Sequence, residues 1–555
     1  MLIRYIALLF TSVFFSGVLS VVAQPLQRKP IYTLDDTLRG TINNERSWWN
    51  VQHYAIEVSP DFLSKTIKGQ NTIHFKSTDP KAKPVLQIDL QEPLIIDSAL
   101  FEGKKVQCKK RGKNSWLVLL DDRSAPRKKT EQSITLYYGG APHVAKNAPW
   151  DGGWIFTKDK EGRPWMTVAC QGLGASVWYP CKDHQSDEPD RGATLSVTVP
   201  DTLVAVANGR LISETSAKAG NRTFQWQVVN PINNYNLVPY IGKYVHWNDR
   251  YKGIGSRPLD LDYWVLDYNL EKAKPSFNRD VPRMLNAFEY WFGPYPFYED
   301  GYKLVESSHL GMEHQSAIAY GNGFKNGYRG RDLSGSGWGK DWDYIIIHES
   351  GHEWFANNIT TNDIADMWVH EGFTMYSEVL FIDYHYGKKA ADEYCRGVRK
   401  NIRNDKPIIG DYGVNQEGSG DMYNKGAGLL HHIREMIGND TLFRSILLGL
   451  NKDFRHRTVD SKEVEHYIAQ KANMDLSVIF DQYLRSTTIP VLEYQQSNGK
   501  IKFRFQNCIS EFRMPVRWGQ RQLTISTQWT DWTGDGDNDI QLLDGNYYWT
   551  IRRVN

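Results

Sequence analysis

The segment Ile345-Ile346-Ile347-His348-Glu349-Ser350-Gly351-His352-Glu353-Trp354-Phe355 places two histidines four positions apart behind an apolar run. Four positions is close to one helical turn, so on a helix both imidazoles project from one face and can address one metal ion. Glu349 is rotated by about 100° from His348, which sets it beside such an ion. There it can accept a proton from a water at the metal. Taken alone, the pattern also fits two structural histidines on an amphipathic helix. A second signal is Glu371, in Trp368-Val369-His370-Glu371-Gly372-Phe373, with eighteen residues between it and His352. It opens a helix-like run reaching Tyr386, and a helix–turn–helix of that length can return Glu371 to the metal. Two His and one Glu leave one position open, the arrangement of catalytic zinc. The predicted ligands of one Zn2+ per chain are therefore His348, His352 and Glu371, with Glu349 as general base. Glu378 lies two turns along the same face, either orienting a ligand histidine or standing as a solvated helix charge.

Working outward, helix-period segments dominate from Tyr344 to about Tyr483. Val281 to Phe292 reads as a helix closed by Gly293-Pro294, followed by a strand near Lys303-Leu304-Val305-Glu306 and a Gly-rich stretch from Gly321 to Gly339. Upstream, residues 50–246 alternate in strand fashion, as in Tyr54-Ala55-Ile56-Glu57-Val58 and Leu195-Ser196-Val197-Thr198-Val199. Downstream, Leu492-Glu493-Tyr494 and Ile501-Lys502-Phe503-Arg504-Phe505 flank Ser497-Asn498-Gly499, a hairpin signal. The expected fold is multidomain α+β: a signal peptide over 1–23, an N-terminal β-rich domain over 24–249, a catalytic domain over 250–489 and a small C-terminal β-sandwich over 490–555. A length of 555 residues suits two to four domains.

Lys and Arg number 66 against 64 Asp and Glu, and no basic stripe stands out, which argues against a nucleic-acid partner. Arg4, the apolar run Tyr5 to Val22 and the small residues Val21 and Ala23 form an export signal with cleavage expected before Gln24. The protein is then exported, to the periplasm or the extracellular space, without a stable membrane span after cleavage. The five cysteines are too sparse for a disulfide scaffold. Cys170 and Cys181 either pair or stay as buried thiols. The run Asp535-Gly536-Asp537-Asn538-Asp539 lacks the full loop and downstream Glu of an EF-hand and is read as a solvated turn rather than a calcium site.

Three further motifs give these residues a family resemblance. Gly311-Met312-Glu313-His314, Tyr423-Asn424-Lys425-Gly426 and Trp178-Tyr179-Pro180-Cys181-Lys182-Asp183, together with the two-histidine segment and Glu371, resemble the motifs of the aminopeptidase N family of gluzincins, whose catalytic domain is thermolysin-like. The similarity runs from about residue 50 to about residue 440. It implies that Glu313 holds a substrate's free α-ammonium with Gln171 beside it, that backbone at Gly311 and Met312 binds the peptide as a strand, and that Tyr423 donates a hydrogen bond to the oxyanion. The implied activity is zinc-dependent removal of N-terminal residues from peptides with a free N-terminus. A thermolysin-type endopeptidase and an inactive binding protein on the same fold are the rival readings. The chain departs from the family pattern at His314, which replaces Asn, at Leu173, which stands where many members carry a polar amine anchor, and in a longer Gly-rich span. It also carries a β pattern over 490–555 where the family has a long helical domain, so a more open cleft is expected.

Overall fold

The computed structural model describes residues 30–120, 130–217, 220–497, 500–518, 521–532 and 545–555. The export signal and the Asp535–Asp539 run lie outside them. No helix among the described residues is long and apolar enough to cross a membrane.

The N-terminal half is a β structure. Strand Trp49–Asp61 buries Tyr54, Ile56 and Val58 and exposes Glu57 and Ser59, as alternation across a half-buried sheet requires. It lies inside a ten-stranded sheet, antiparallel to Thr66–Ser77 on one side and parallel to Ala193–Pro200 on the other. A four-stranded sheet, ordered Val204–Val206, Tyr240–Gly242, Pro164–Ala169 and Gly153–Lys158, packs with it around one apolar core. Cys170 and Cys181 are buried free thiols.

The catalytic half begins with a five-stranded mixed sheet whose first strand is Tyr244–Tyr251. That strand pairs with Leu259–Leu266, so the sheet starts five residues ahead of the expected boundary at 249. Strand Gly311–Met312 is its outer edge, paired among the described residues only with Ile318–Tyr320. The helix expected from Val281 runs instead from Leu270 to Phe292, through Pro275 and Pro282. Each proline removes a backbone donor, but Ala273, Phe277, Val281, Met284, Leu285 and Phe288 are all buried, and their i, i+4 spacing carries the helix across both.

Helices Tyr344–Gly351, Trp368–Tyr386, Lys388–Val398, Asn424–Ile437, Asp440–Asp453, Ser461–Ala472 and Ser477–Arg485 complete this half. Beyond them, Val491–Ser497 and Lys500–Gln506 pair antiparallel, with Leu492 opposite Phe505 and Tyr494 opposite Phe503. The tip of that hairpin, residues 498 and 499, lies outside the described residues. These strands belong to a four-stranded sheet, and Arg513–Trp518 with Arg521–Ser526 forms a separate two-stranded one. The two large halves meet at the edge strand: Met312, Ala317 and Ala319 pack into the core of the β half.

Candidate active site

All eight residues of helix Tyr344–Gly351 are buried. Its first turn, Tyr344-Ile345-Ile346-Ile347, is largely apolar, as burial favours, and Asp343 caps it by accepting from the Ile345 amide at 3.1 Å. The helix ends at the second histidine. His352 closes it with α-helical angles, and the backbone then breaks at Phe355 (φ −131°) and Ala356 (φ +135°). The break turns the Phe355 carbonyl back to His352 Nδ1 at 3.1 Å. Thr374 Oγ1 lies at 3.1 Å from the same nitrogen. His348 Nδ1 lies 2.6 Å from Glu378 Oε1, and Tyr394 donates to the other Glu378 oxygen at 2.5 Å. Glu378 is therefore a buried positioning residue for His348.

With both Nδ1 atoms engaged, both Nε2 atoms are left for a ligand. Each faces Glu371 Oε2, at 3.9 Å from His348 and 3.3 Å from His352. Glu371 sits in the first turn of helix Trp368–Tyr386. Its Oε2 is buried without a hydrogen-bond partner among the described residues, and the three donor atoms lie within 4.8 Å of one another. A buried oxygen lacking a donor, beside two imidazole nitrogens, is the chemistry of a cation site. The donor set fits zinc.

The charges agree. Burial works against protonating His352, yet Glu371, followed by Glu313 and Glu349, lifts its pKa to about 10. Burial likewise opposes a charged His348, and Glu378 outweighs it. Burial raises Glu349 to about 7, with Glu313 and Glu371 adding to the shift and both histidines opposing it. Burial also raises Glu371, but His352 overcomes this and holds it below the usual carboxylate range. Protons thus gather where a divalent cation would balance the carboxylates.

Glu313 follows the edge strand. Gln171 Nε2 and Tyr235 Oη both donate to its Oε1, at 2.6 and 2.8 Å, and Asn357 Nδ2 donates to its carbonyl at 2.9 Å. A Glu313 oxygen, a Glu349 oxygen and a His352 nitrogen lie within 4.8 Å of one another. Burial raises the Glu313 pKa; Glu371 pushes it further up while His352 pulls it down. Glu349 approaches the strand closely at Gly311: a Cβ there would stand 2.5 Å from Glu349 Oε1. His314 is buried against Tyr240 instead of facing the cleft.

Tyr423 stands at the N-terminus of helix Asn424–Ile437, its ring stacked with that of His348 at 6.1 Å between centroids. Two glycines place it. A Cβ on Gly426 would lie 2.8 Å from the Gly372 Cα, so this helix can pack on the one carrying Glu371 only because both positions lack side chains. Burial, then Glu371 and Glu313, push the Tyr423 phenol well above its usual pKa, so it remains a donor.

Gln171, Gly311, Met312, Glu313, His348, Glu349, His352, Glu371 and Tyr423 all line one cavity of about 450 Å³. Leu173 does not: it packs against Gly152, and its carbonyl accepts from Gln91. Sequence reasoning missed Tyr235, the Phe355 carbonyl, and Trp150 and Glu417 on the cavity wall. Tyr235, in an Asn-rich turn, carries no local signal of its partner.

The Peptidase M1 N-terminal domain matches residues 50–235, and the Peptidase family M1 domain matches residues 280–483. Tricorn protease-interacting factor F2 of Thermoplasma acidophilum is 22% identical over 366 residues, covering 63% of this chain and 44% of that protein. Human aminopeptidase B is 24% identical over 327 residues, covering 55% and 46%. The chain thus spans less than half the length of either relative. An M1 zinc metallopeptidase from Deinococcus radiodurans superposes with a TM-score of 0.67 at 20% identity, over 80% of this chain and 96% of that one, which establishes a shared fold. With both domain types matched in order and the cavity formed where they meet, the chain belongs to peptidase family M1.

Proposed function

We propose that the protein is a zinc aminopeptidase that removes the N-terminal residue of peptides. One observation carries this reading. Glu313, a buried carboxylate just after the edge strand, has an oxygen within 4.8 Å of both a Glu349 oxygen and a His352 nitrogen. That places an anion about one residue from the bond to be cut, where an exopeptidase needs it. An endopeptidase has no use for a buried anion there.

Zinc held by His348, His352 and Glu371 would supply Lewis acidity at the scissile carbonyl and an activated water at neutral pH. Glu349 would serve as the base that accepts a proton from the attacking water and as the acid that delivers it to the departing amine. The Tyr423 hydroxyl donates to the oxyanion, where a hydrogen bond helps the transition state more than the ground state. Glu313 and Gln171 hold the α-ammonium. The unpaired edge of Gly311–Met312 offers backbone groups to an extended substrate. Family membership supports the metal and the peptide substrate, and the Deinococcus radiodurans relative was crystallised with a Tyr-Ser-Ala substrate. The N-terminal export pattern supports a periplasmic or extracellular place of action.

The test uses matched peptides with free and acetylated N-termini and the zinc-loaded protein. Free peptides should be shortened one residue at a time and acetylated ones left intact. Equal cleavage of both would establish the endopeptidase reading in its place.

A further inference from the structure

The cavity wall carries four carboxylates, Glu313, Glu349, Glu371 and Glu417, and no Lys or Arg. The first three have tasks in the proposed reaction. A divalent cation and one substrate ammonium leave a negative charge uncompensated, and Glu417 is the carboxylate without a task. The loop that carries it is tied down on both sides. Gly410 N donates to the Ala365 carbonyl at 3.0 Å, Gly413 N to Asp363 Oδ2 at 2.8 Å and Ser419 N to the Pro407 carbonyl at 2.9 Å. The next residue, Gly418, presses on the Ile408 carbonyl, which a Cβ would meet at 1.8 Å.

The Glu417 side chain is exposed to the cleft. Among the described residues it has neither a hydrogen bond nor an ion pair; Lys406 acts on it only from a distance. It interacts electrostatically with Glu371 and Tyr423, which places it towards the catalytic end of the cavity. From the β half, Trp150 lines the same cavity with 60% of its surface exposed. An indole face and an unpaired carboxylate are the two groups that receive a guanidinium, one by stacking and one by paired hydrogen bonds.

Building on the aminopeptidase reading, we propose that Glu417, with Trp150, is a specificity-determining residue selecting peptides whose first side chain is cationic, arginine ahead of lysine. Lysine ranks second because an ammonium makes a poorer stacking partner and cannot pair in bidentate fashion. Hydrogen bonds to a charged group are worth about tenfold or more in binding, and that is the expected preference for arginine over citrulline, its neutral isostere.

The experiment uses the zinc-loaded protein, wild type and Glu417→Gln, with Arg-Ala-Ala, citrullyl-Ala-Ala and Leu-Ala-Ala. In parallel, calorimetry measures binding of argininamide and citrullinamide. Wild type should show an arginine-to-citrulline ratio of kcat/KM of about ten or more, and Glu417→Gln should bring it close to one. A wild-type ratio near one overturns the proposal. So does a high ratio that survives in Glu417→Gln, or a variant that loses the same factor on all three peptides, since Glu417 would then act on the common ammonium or not at all. If no peptide is cut, the aminopeptidase reading falls and calorimetry decides: argininamide binding more tightly than citrullinamide, with the difference lost in Glu417→Gln, keeps Glu417 as the cation-selecting group, and equal binding removes it.

Discussion

His348, Glu349, His352 and Glu371 reach the cleft from 24 consecutive residues. Trp150, Gln171, Glu313 and Glu417 reach it from four segments scattered between positions 150 and 417. The first group is buried, and each histidine is fixed by a partner on its far nitrogen. The second depends on how the β half docks, because Gln171 and Tyr235 hold Glu313 across the junction and Asn236 bonds Asn357 behind it. The cleft therefore joins a self-contained hydrolytic unit to a recognition surface that exists only in the assembled molecule. Damage to the first should be lost as kcat or metal, and damage to the second as KM and selectivity.

The largest effect is expected in the hydrolytic unit. Glu349→Gln keeps the shape of the side chain and removes the base, so kcat should fall by roughly 10²–10⁴-fold with zinc content unchanged by elemental analysis. A normal rate would mean that the proton goes elsewhere. Next, Glu378→Gln weakens the partner of His348 Nδ1, and zinc affinity should drop by about 10–100-fold in a chelator competition. Unaltered affinity would make Glu378 a packing residue. Third, Tyr423→Phe should lower kcat more than it raises KM. Gly426→Ala, which forces apart the two helices holding Tyr423 and Glu371, should do the same and also cost about 1–3 kcal/mol of stability, read as a lower Tm. A Gly426→Ala protein with wild-type Tm and kcat would show that the close helix contact is dispensable.

On the recognition side the effects should be smaller. Tyr235→Phe removes one hydrogen bond to Glu313, worth about 0.5–1.5 kcal/mol, so KM for free-amine peptides should rise roughly twofold to tenfold with kcat little changed. A fall in kcat alone would dissolve the division between the two halves. The smallest effect concerns pH. His184, in the β half, accepts from the Ser186 amide at 3.2 Å and reaches the Gly40 carbonyl at 3.3 Å. Burial, then Arg46, lower its pKa to about 3. An unfolded histidine takes up a proton below about 6.5 while the folded one stays neutral, so the unfolded state binds more protons in that interval. Stability is therefore lost as pH falls from 6.5 towards 3. His184→Gln should flatten the decline of Tm over pH 6.5 to 4.5, and an identical slope would show that other groups set it.

The metal half was legible because its constraints are local. A four-residue spacing puts His348 and His352 on one face of any α-helix, whereas the return of Glu371 runs through a backbone break at Phe355–Ala356 and strand Ile359–Thr361, which pairs with Arg457–Val459. The same local reading began the helix at Val281, whereas the buried face of Leu270–Phe292 carries it eleven residues further upstream. Glu378 was ambiguous for a related reason: its position on the helix is local, but whether it meets solvent or His348 depends on packing.

Sequence alone determined the fold class and that His348 and His352 share one helical face with Glu349 beside them, because a four-residue spacing fixes directions over a single helical turn. Tertiary structure alone decided which oxygen of Glu313 is occupied, that Tyr235 occupies it, that Leu173 turns away from the cavity, and that Glu417 and Trp150 share its wall. These are relations between segments far apart in the chain. Their distances are fixed by the packing of two cores against one edge strand, and no periodicity in the chain encodes them.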